Sequence, residues 1–135
     1  DVSHSSPATC AAVIEETTAP VIASHSGCNS VTSHTRNLTD AQILAIAGTG
    51  GVVCIPFVKS FIWPKSVLDH LEHALQLVGP DHVGIGSDLD GAIMVPGVNG
   101  VADWKHVVID GLSSRGYSDA DIGKVAGGNV FRLLA

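Results

Sequence analysis

The stretch Pro20-Val21-Ile22-Ala23-Ser24-His25-Ser26-Gly27-Cys28-Asn29-Ser30-Val31-Thr32-Ser33-His34-Thr35-Arg36-Asn37-Leu38-Thr39-Asp40 decides how the chain is read. Its short apolar run, residues 21–23, reads as a buried strand. The run stops at Ser24-His25-Ser26, so His25 stands at the carboxyl end of a strand, where α/β folds place their chemistry. Arg36 comes later in the same polar loop, and Thr39-x-x-Gln42 then opens a helix with a capping-box pattern. A strand-end histidine and a loop arginine suggest a metal and an anion handled side by side.

Working outward, residues 1–4 read as the tail of a strand. A helix is predicted over 8–16, with Ser6 as its cap and Pro7 at its first position. A second helix is predicted over 40–47, with Ile43, Leu44 and Ile46 inward, then a strand over 52–57. Residues 66–78 give the clearest helix, because Leu68, Leu71, Leu75 and Val78 recur at helical spacing. A further strand covers 82–87. Two more helices are predicted, one over 103–112 with Trp104, Val107 and Val108 inward, and one from the Ser118 cap to 126. Gly127-Gly128 breaks the last of these before a final turn over 129–134. Strands alternating with helices imply a parallel sheet of about four strands with helical crossovers. The strand ends near His4, His25, Phe57 and Asp88 are separated by βα-repeat lengths. That spacing fits a barrel and an open doubly wound sheet equally.

The 135 residues form a single domain with room for a core. With 45% hydrophobic and 15% charged residues the composition is globular rather than disordered. The formal charge of −6 argues against nucleic acid as the main partner. No apolar run is long enough to span a membrane. Cys10, Cys28 and Cys54 are odd in number and lack a CxxC pattern, which points to free thiols. A chain that opens at Asp1, without Met, is expected to be a fragment or a processed product.

Three polar side chains, His4, His25 and Asp88, each come directly after a strand-like run. In a parallel sheet such ends share one face, so these groups are expected to converge. Two imidazoles and a carboxylate suit Zn(II), which activates water near neutral pH. Arg36 suits bidentate capture of a carboxylate. His34 reads as a loop contact. His70 and His73 fall inside a helix, on its outer face or in structural hydrogen bonds. His82 lies at the amino end of a strand, and Asp90-Gly91 shapes the turn after Asp88. Gly48-x-Gly50-Gly51 precedes a strand instead of succeeding one, so it is not a phosphate loop. Cys28 lacks a visible activating partner for a nucleophile.

Several motifs in order carry a resemblance. They are Asp1-Val2-Ser3-His4, Ser24-His25-Ser26, His34-x-Arg36-Asn37-Leu38-Thr39-Asp40, Asp69-His70-Leu71-Glu72-His73, Gly79-x-Asp81-His82-Val83-Gly84-Ile85-Gly86-Ser87-Asp88-Leu89-Asp90-Gly91, Arg115-Gly116-Tyr117-Ser118 and Gly127-Gly128-Asn129-x-x-Arg132. Together they resemble the membrane (renal) dipeptidase family, the zinc dipeptidases of the amidohydrolase superfamily. The resemblance covers essentially the whole chain.

It implies the carboxyl-terminal half of a (β/α)8 TIM-type barrel, with a two-zinc site that hydrolyses dipeptides. His4 and His25 match two zinc-binding histidines of the family, and Arg36 the arginine that holds the substrate carboxylate. Asp88 matches the last-strand aspartate, associated with the substrate amino end and with proton transfer. The family's His-x-Asp motif, its bridging glutamate and a further substrate-binding histidine have no counterpart here. A dipeptide substrate and a missing amino-terminal half, or a second copy of the chain, are therefore the expected partners. The chain alone is expected to bind metal weakly and to lack activity. Two other readings stay open: a non-catalytic half-barrel that binds or assembles, and an amidohydrolase acting on acylated amino acids.

Overall fold

The computed structural model describes residues 1–135 as an α/β unit around a parallel sheet. Its strands are β1 (Ile22–Ala23), β2 (Val52–Pro56) and β3 (Val83–Ser87), in that spatial order. There are three strands where four were expected. Residues 1–4 lie beside β1 without joining the sheet as a strand, and Val2 N donates to Ile22 O at 2.8 Å. All five residues of β2 are buried, as a strand covered on both faces of a parallel sheet must be.

Ala23 pairs with Val53, and Val53, Cys54 and Ile55 pair with Val83, Gly84 and Ile85. The register then slips, because Pro56 pairs with Ser87 and leaves Gly86 unopposed. Proline has no N–H to give the ladder, and the slip falls where that donor is lost. Bulges of this kind bend a strand and re-aim the residues beyond them. In β3 the residue just beyond is Asp88.

The helices form where their caps direct. Ser6 Oγ accepts from Thr9 N at the start of α1 (Pro7–Glu16). Thr39 and Gln42 close a reciprocal capping box on α2 (Asp40–Gly48). A short helix, α3 (Lys59–Ile62), fills the loop after β2. Ser66 and Asp69 close a second capping box on α4 (Val67–Val78). Gly79 ends α4 at φ 77°, a conformation side-chain-bearing residues rarely take. Leu44 corrects its expectation: Ile43 and Ile46 are fully buried, but Leu44, about 100° round α2 from Ile43, is 50% exposed.

The helix expected over 103–112 is three pieces: a 3-10 turn (Val101–Asp103), a π-helical turn (Lys105–Asp110) and α5 (Gly111–Ser114). Val108 is fully buried, whereas Trp104 and Val107 are half-buried. After α6 (Asp119–Gly123), the backbone kinks at Gly127 and resumes as α7 (Asn129–Leu134). No helix is long and apolar enough to cross a membrane.

Polar side chains at the amino ends of the strands serve the fold. Asn129 Nδ2 donates to Pro80 O at 2.6 Å and Val83 O at 2.8 Å. Arg132 donates to Gly50 O and Asp81 O, at 3.0 and 2.8 Å, and His82 Nδ1 lies 2.9 Å from Gly51 O.

His70 is also structural, but it is buried rather than on the outer face of α4. Its Nδ1 accepts from Cys28 N at 2.9 Å, and its Nε2 lies 3.1 Å from Thr32 Oγ1. Thr32 Oγ1 in turn donates to Ile62 O at 2.8 Å. Asn37 completes the clamp: its Oδ1 accepts from Gly27 N, and its Nδ2 donates to Thr32 O and Phe61 O. Two buried side chains thus hold the loop between β1 and α2. His73 pairs with Asp40 at 2.8 Å.

Burial pushes the His70 pKa down to about 4, against about 6.5 in an unfolded chain. Folding therefore favours neutral His70. Its contribution is fully present above about pH 6.5 and declines as pH falls toward about 4. The urea midpoint is expected to be lower near pH 5 than near pH 7, and His70→Gln to flatten that difference. Equal pH dependence in the two proteins would remove His70 from this role.

Candidate active site

The carboxyl ends of the strands form a rim, and the four residues singled out from the sequence lie on or beside it. His4 and His25 meet there: their Nε2 atoms are 2.9 Å apart and their ring centroids 4.9 Å apart. The segment before His4 is laced to the end of β1 by side chains. Asp1 Oδ1 accepts from Ser3 N and Ser24 N, at 3.0 and 3.1 Å. Ser24 Oγ donates to Asp1 Oδ2 at 2.6 Å and lies 2.8 Å from His25 Nδ1. Ser3 Oγ accepts from His25 N at 3.0 Å. Every polar residue flanking the two histidines in Asp1-Val2-Ser3-His4 and Ser24-His25 is therefore engaged in holding one segment against the other.

The chain has three non-glycine residues with left-handed backbone, His4 (φ 69°), Asp88 (59°) and Asp90 (65°). Such conformations cost free energy and cluster at functional sites. Two of the three are residues that the sequence singled out for chemistry.

Asp88 reaches the rim through the bulge in β3. A Cβ placed on Gly86 would lie 1.9 Å from Ser24 O and 3.0 Å from His25 Cα. Only a bare glycine lets the end of β3 come this close to the His25 turn. Asp88 is near enough to act on His25 electrostatically. Burial lowers the His25 pKa, the Asp88 carboxylate opposes that shift, and the Arg36 guanidinium and His4 add to it. Of His4, His25 and Asp88, which the sequence expects to converge, the structure brings the two histidine rings into contact. No group of three His, Cys, Asp or Glu side chains is placed to share an ion.

Arg36 is half-buried. Its guanidinium carbon lies 5.1 Å from the Phe61 ring centroid, and one buried Nη2 has no partner within the chain. It lines a cavity of about 30 Å³ with His4, Ser26, Asn37 and Gln42, roughly the space of one water. A buried donor without a partner costs about 1–3 kcal/mol, so an acceptor oxygen placed there would relieve a standing penalty. His34 is the loop contact expected, since Arg36 N donates to His34 Nδ1 at 3.1 Å and its ring lies on Phe61 at 4.8 Å.

The cysteines stand apart from this chemistry. All three are free and buried, and burial pushes the Cys28 and Cys54 thiols up to about 12. The nucleophilic thiolate is therefore absent at these two positions near neutral pH.

The model of the membrane dipeptidase family, peptidase family M19, matches residues 1–135. The dipeptidase VerJ of Clonostachys rogersoniana is 39% identical over 140 residues, covering 99% of this chain and 36% of its own length. The dipeptidase AtaJ of Aspergillus terreus is 36% identical over 143 residues, with 99% and 35% covered. The chain thus spans about a third of the length of these curated relatives. Among solved structures, a metallopeptidase from Rhodobacter sphaeroides, liganded with a phosphinate mimic of the dipeptide L-Ala-D-Ala, superposes with a TM-score of 0.92 at 34% identity. The match covers 99% of this chain and 41% of that one. A dipeptidase described as a metallopeptidase of family M19 gives the same TM-score and identity.

The close approach at Gly86 makes a direct test. Gly86→Ala is expected to cost about 1–3 kcal/mol of stability, as overpacking does. Gly48→Ala, where a Cβ meets nothing within 4 Å, is expected to be neutral or mildly stabilising. Chemical denaturation of the two variants distinguishes them, and equal midpoints would mean that the rim is too loose for Gly86 to matter.

Proposed function

Because the chain belongs to the membrane dipeptidase family, we propose that it supplies His4, His25, Arg36 and Asp88 to a zinc-dependent site that hydrolyses dipeptides. The observation that carries this reading is the meeting of the His4 and His25 Nε2 atoms at 2.9 Å, beside an arginine with an unengaged donor.

The residues present fit one side of such a site. Imidazole nitrogens are donors that zinc takes readily, yet a catalytic zinc normally has three protein ligands, and no third candidate joins these two. The remaining ligands would come from residues outside these 135, or from a second copy of the chain. Bound zinc would supply a Lewis acid and an activated water.

The chain's own side chains have separate tasks. His4 and His25 would hold the ion through Nε2. Arg36 would grip the substrate's terminal carboxylate through its guanidinium, fixing the register of the scissile bond. Asp88 would take the substrate's ammonium end or receive a proton at its carboxylate. The phosphinate dipeptide mimic bound by the Rhodobacter relative supports a dipeptide as substrate. The two-ligand count favours a second reading for the isolated chain, a half-barrel that binds without turnover. An amidohydrolase for acylated amino acids would also use Arg36, but would leave Asp88 without an ammonium to bind.

The test is to titrate the 135-residue chain with zinc and then offer it a dipeptide. The expected result is weak binding of a single ion, abolished by His4→Ala or His25→Ala, with no hydrolysis above the zinc blank. Hydrolysis is expected only when the missing ligands are restored. Arg36→Met should then raise KM for the dipeptide far more than for its C-terminal amide. Two tightly bound ions, or sustained turnover by this chain alone, would contradict the ligand count.

A further inference from the structure

The hydrogen bonds behind His25 fix more than its position. Ser24 Oγ lies 2.6 Å from Asp1 Oδ2 and 2.8 Å from His25 Nδ1. A carboxylate oxygen can only accept, and a serine hydroxyl has one proton to give. That proton must point at Asp1, because two lone pairs facing each other at 2.6 Å would repel. Ser24 Oγ therefore meets His25 Nδ1 as an acceptor, and Nδ1 must carry the imidazole proton. Neutral His25 then has its lone pair on Nε2. Since His25 Nε2 accepts, the His4 Nε2 facing it at 2.9 Å must be the donor.

We propose that Asp1 and Ser24 are positioning residues that hold His25 in its Nδ1–H tautomer, with the Nε2 lone pair set for a ligand, while His4 rests in the opposite tautomer. Metal-bound histidines commonly give their second N–H to a carboxylate or carbonyl that fixes the ring and raises its basicity. Here the carboxylate would act through one hydroxyl. The two histidines are consequently unequal. His25 is ready to ligate, whereas His4 must move its proton from Nε2 to Nδ1 before its lone pair faces the same ion. The consequence for metal binding rests on the proposed function above, but the tautomers themselves are read without metal.

Asp1→Asn is the sharpest variant. Both backbone amides bonded to Asp1 use Oδ1, which asparagine keeps. Only Oδ2 becomes an amide nitrogen, and it donates to Ser24 Oγ. The hydroxyl is then free to turn its proton toward His25 Nδ1, which drives the imidazole to Nε2–H. Long-range proton–nitrogen NMR of the metal-free chain, labelled at histidine, reads which ring nitrogen is protonated. The expected result is Nδ1–H at His25 and Nε2–H at His4 in the wild type, with His25 reversed in Asp1→Asn. Zinc affinity should fall about 10–100-fold in that variant. If Asp1→Asn does not fold, Ser24→Ala leaves the Oδ1 bonds intact and should give a mixture of His25 tautomers, and Ser24→Thr should restore Nδ1–H. A wild-type His25 protonated on Nε2, or a tautomer unmoved by both Asp1→Asn and Ser24→Ala, would overturn the relay. A tautomer that reverses while zinc affinity stays constant would uphold the relay and instead remove His25 from the ligand set.

Discussion

The parallel pairing of β2 with both of its neighbours governs where everything else in the chain can go. A strand buried on both faces needs a strand at each side and helices to return the chain. That arrangement sends every strand's carboxyl end to one rim. His25, Phe57 and Ser87 reach it by topology alone. Chemistry gathers there because loops leaving one rim can differ in sequence without disturbing the sheet. The opposite rim carries Asn129, Arg132 and His82, whose polar groups satisfy backbone atoms of the sheet and its connections.

Topology brings the groups to one rim, and local hydrogen bonding brings them together. Segment 1–4 makes one backbone bond to β1, and its side chains Asp1 and Ser3 add bonds to Ser24 and to the His25 amide. Those bonds set the His4 ring against the His25 ring. The loop after His25 is held separately, by buried Asn37 and His70, so that Arg36 stands on a braced backbone. Buried polar networks of this kind are stabilising only when every member is satisfied. Two buried donors are left over, Trp104 Nε1 and Arg36 Nη2, and the second stands in the cavity beside His4, where a ligand has something to offer.

Much of this was legible in the sequence. The caps at Ser6, Thr39 and Ser118 are local chemistry, and each appears where its residues predict. β2 is a continuous apolar run, and burial on both faces has that signature. His4 and His25 stand out because each comes directly after a strand-like run, although only the run before His25 forms a strand. The long-range features were hidden. Nothing local says that His4 takes a left-handed backbone, or that Asp1 serves a histidine more than twenty residues away. The flanking Asp and Ser residues of the two histidine motifs were the available sign. Gly86 looks like any strand glycine until the Ser24 carbonyl is seen against it. The sequence leaves His70 open between the outer face of α4 and structural hydrogen bonds, and the structure shows the second, made to a loop whose contacts leave no periodicity to read.

The Nε2 atoms of His25, at the end of β1, and of His4, in the segment laced beside it, lie 2.9 Å apart, and X-ray absorption of the chain loaded with one equivalent of zinc tests whether both can hold one ion. Two histidine nitrogens are expected on the same ion, falling to one in either His4→Ala or His25→Ala. An ion bound by a single imidazole in the wild type, or a coordination shell unchanged by both substitutions, would contradict that geometry.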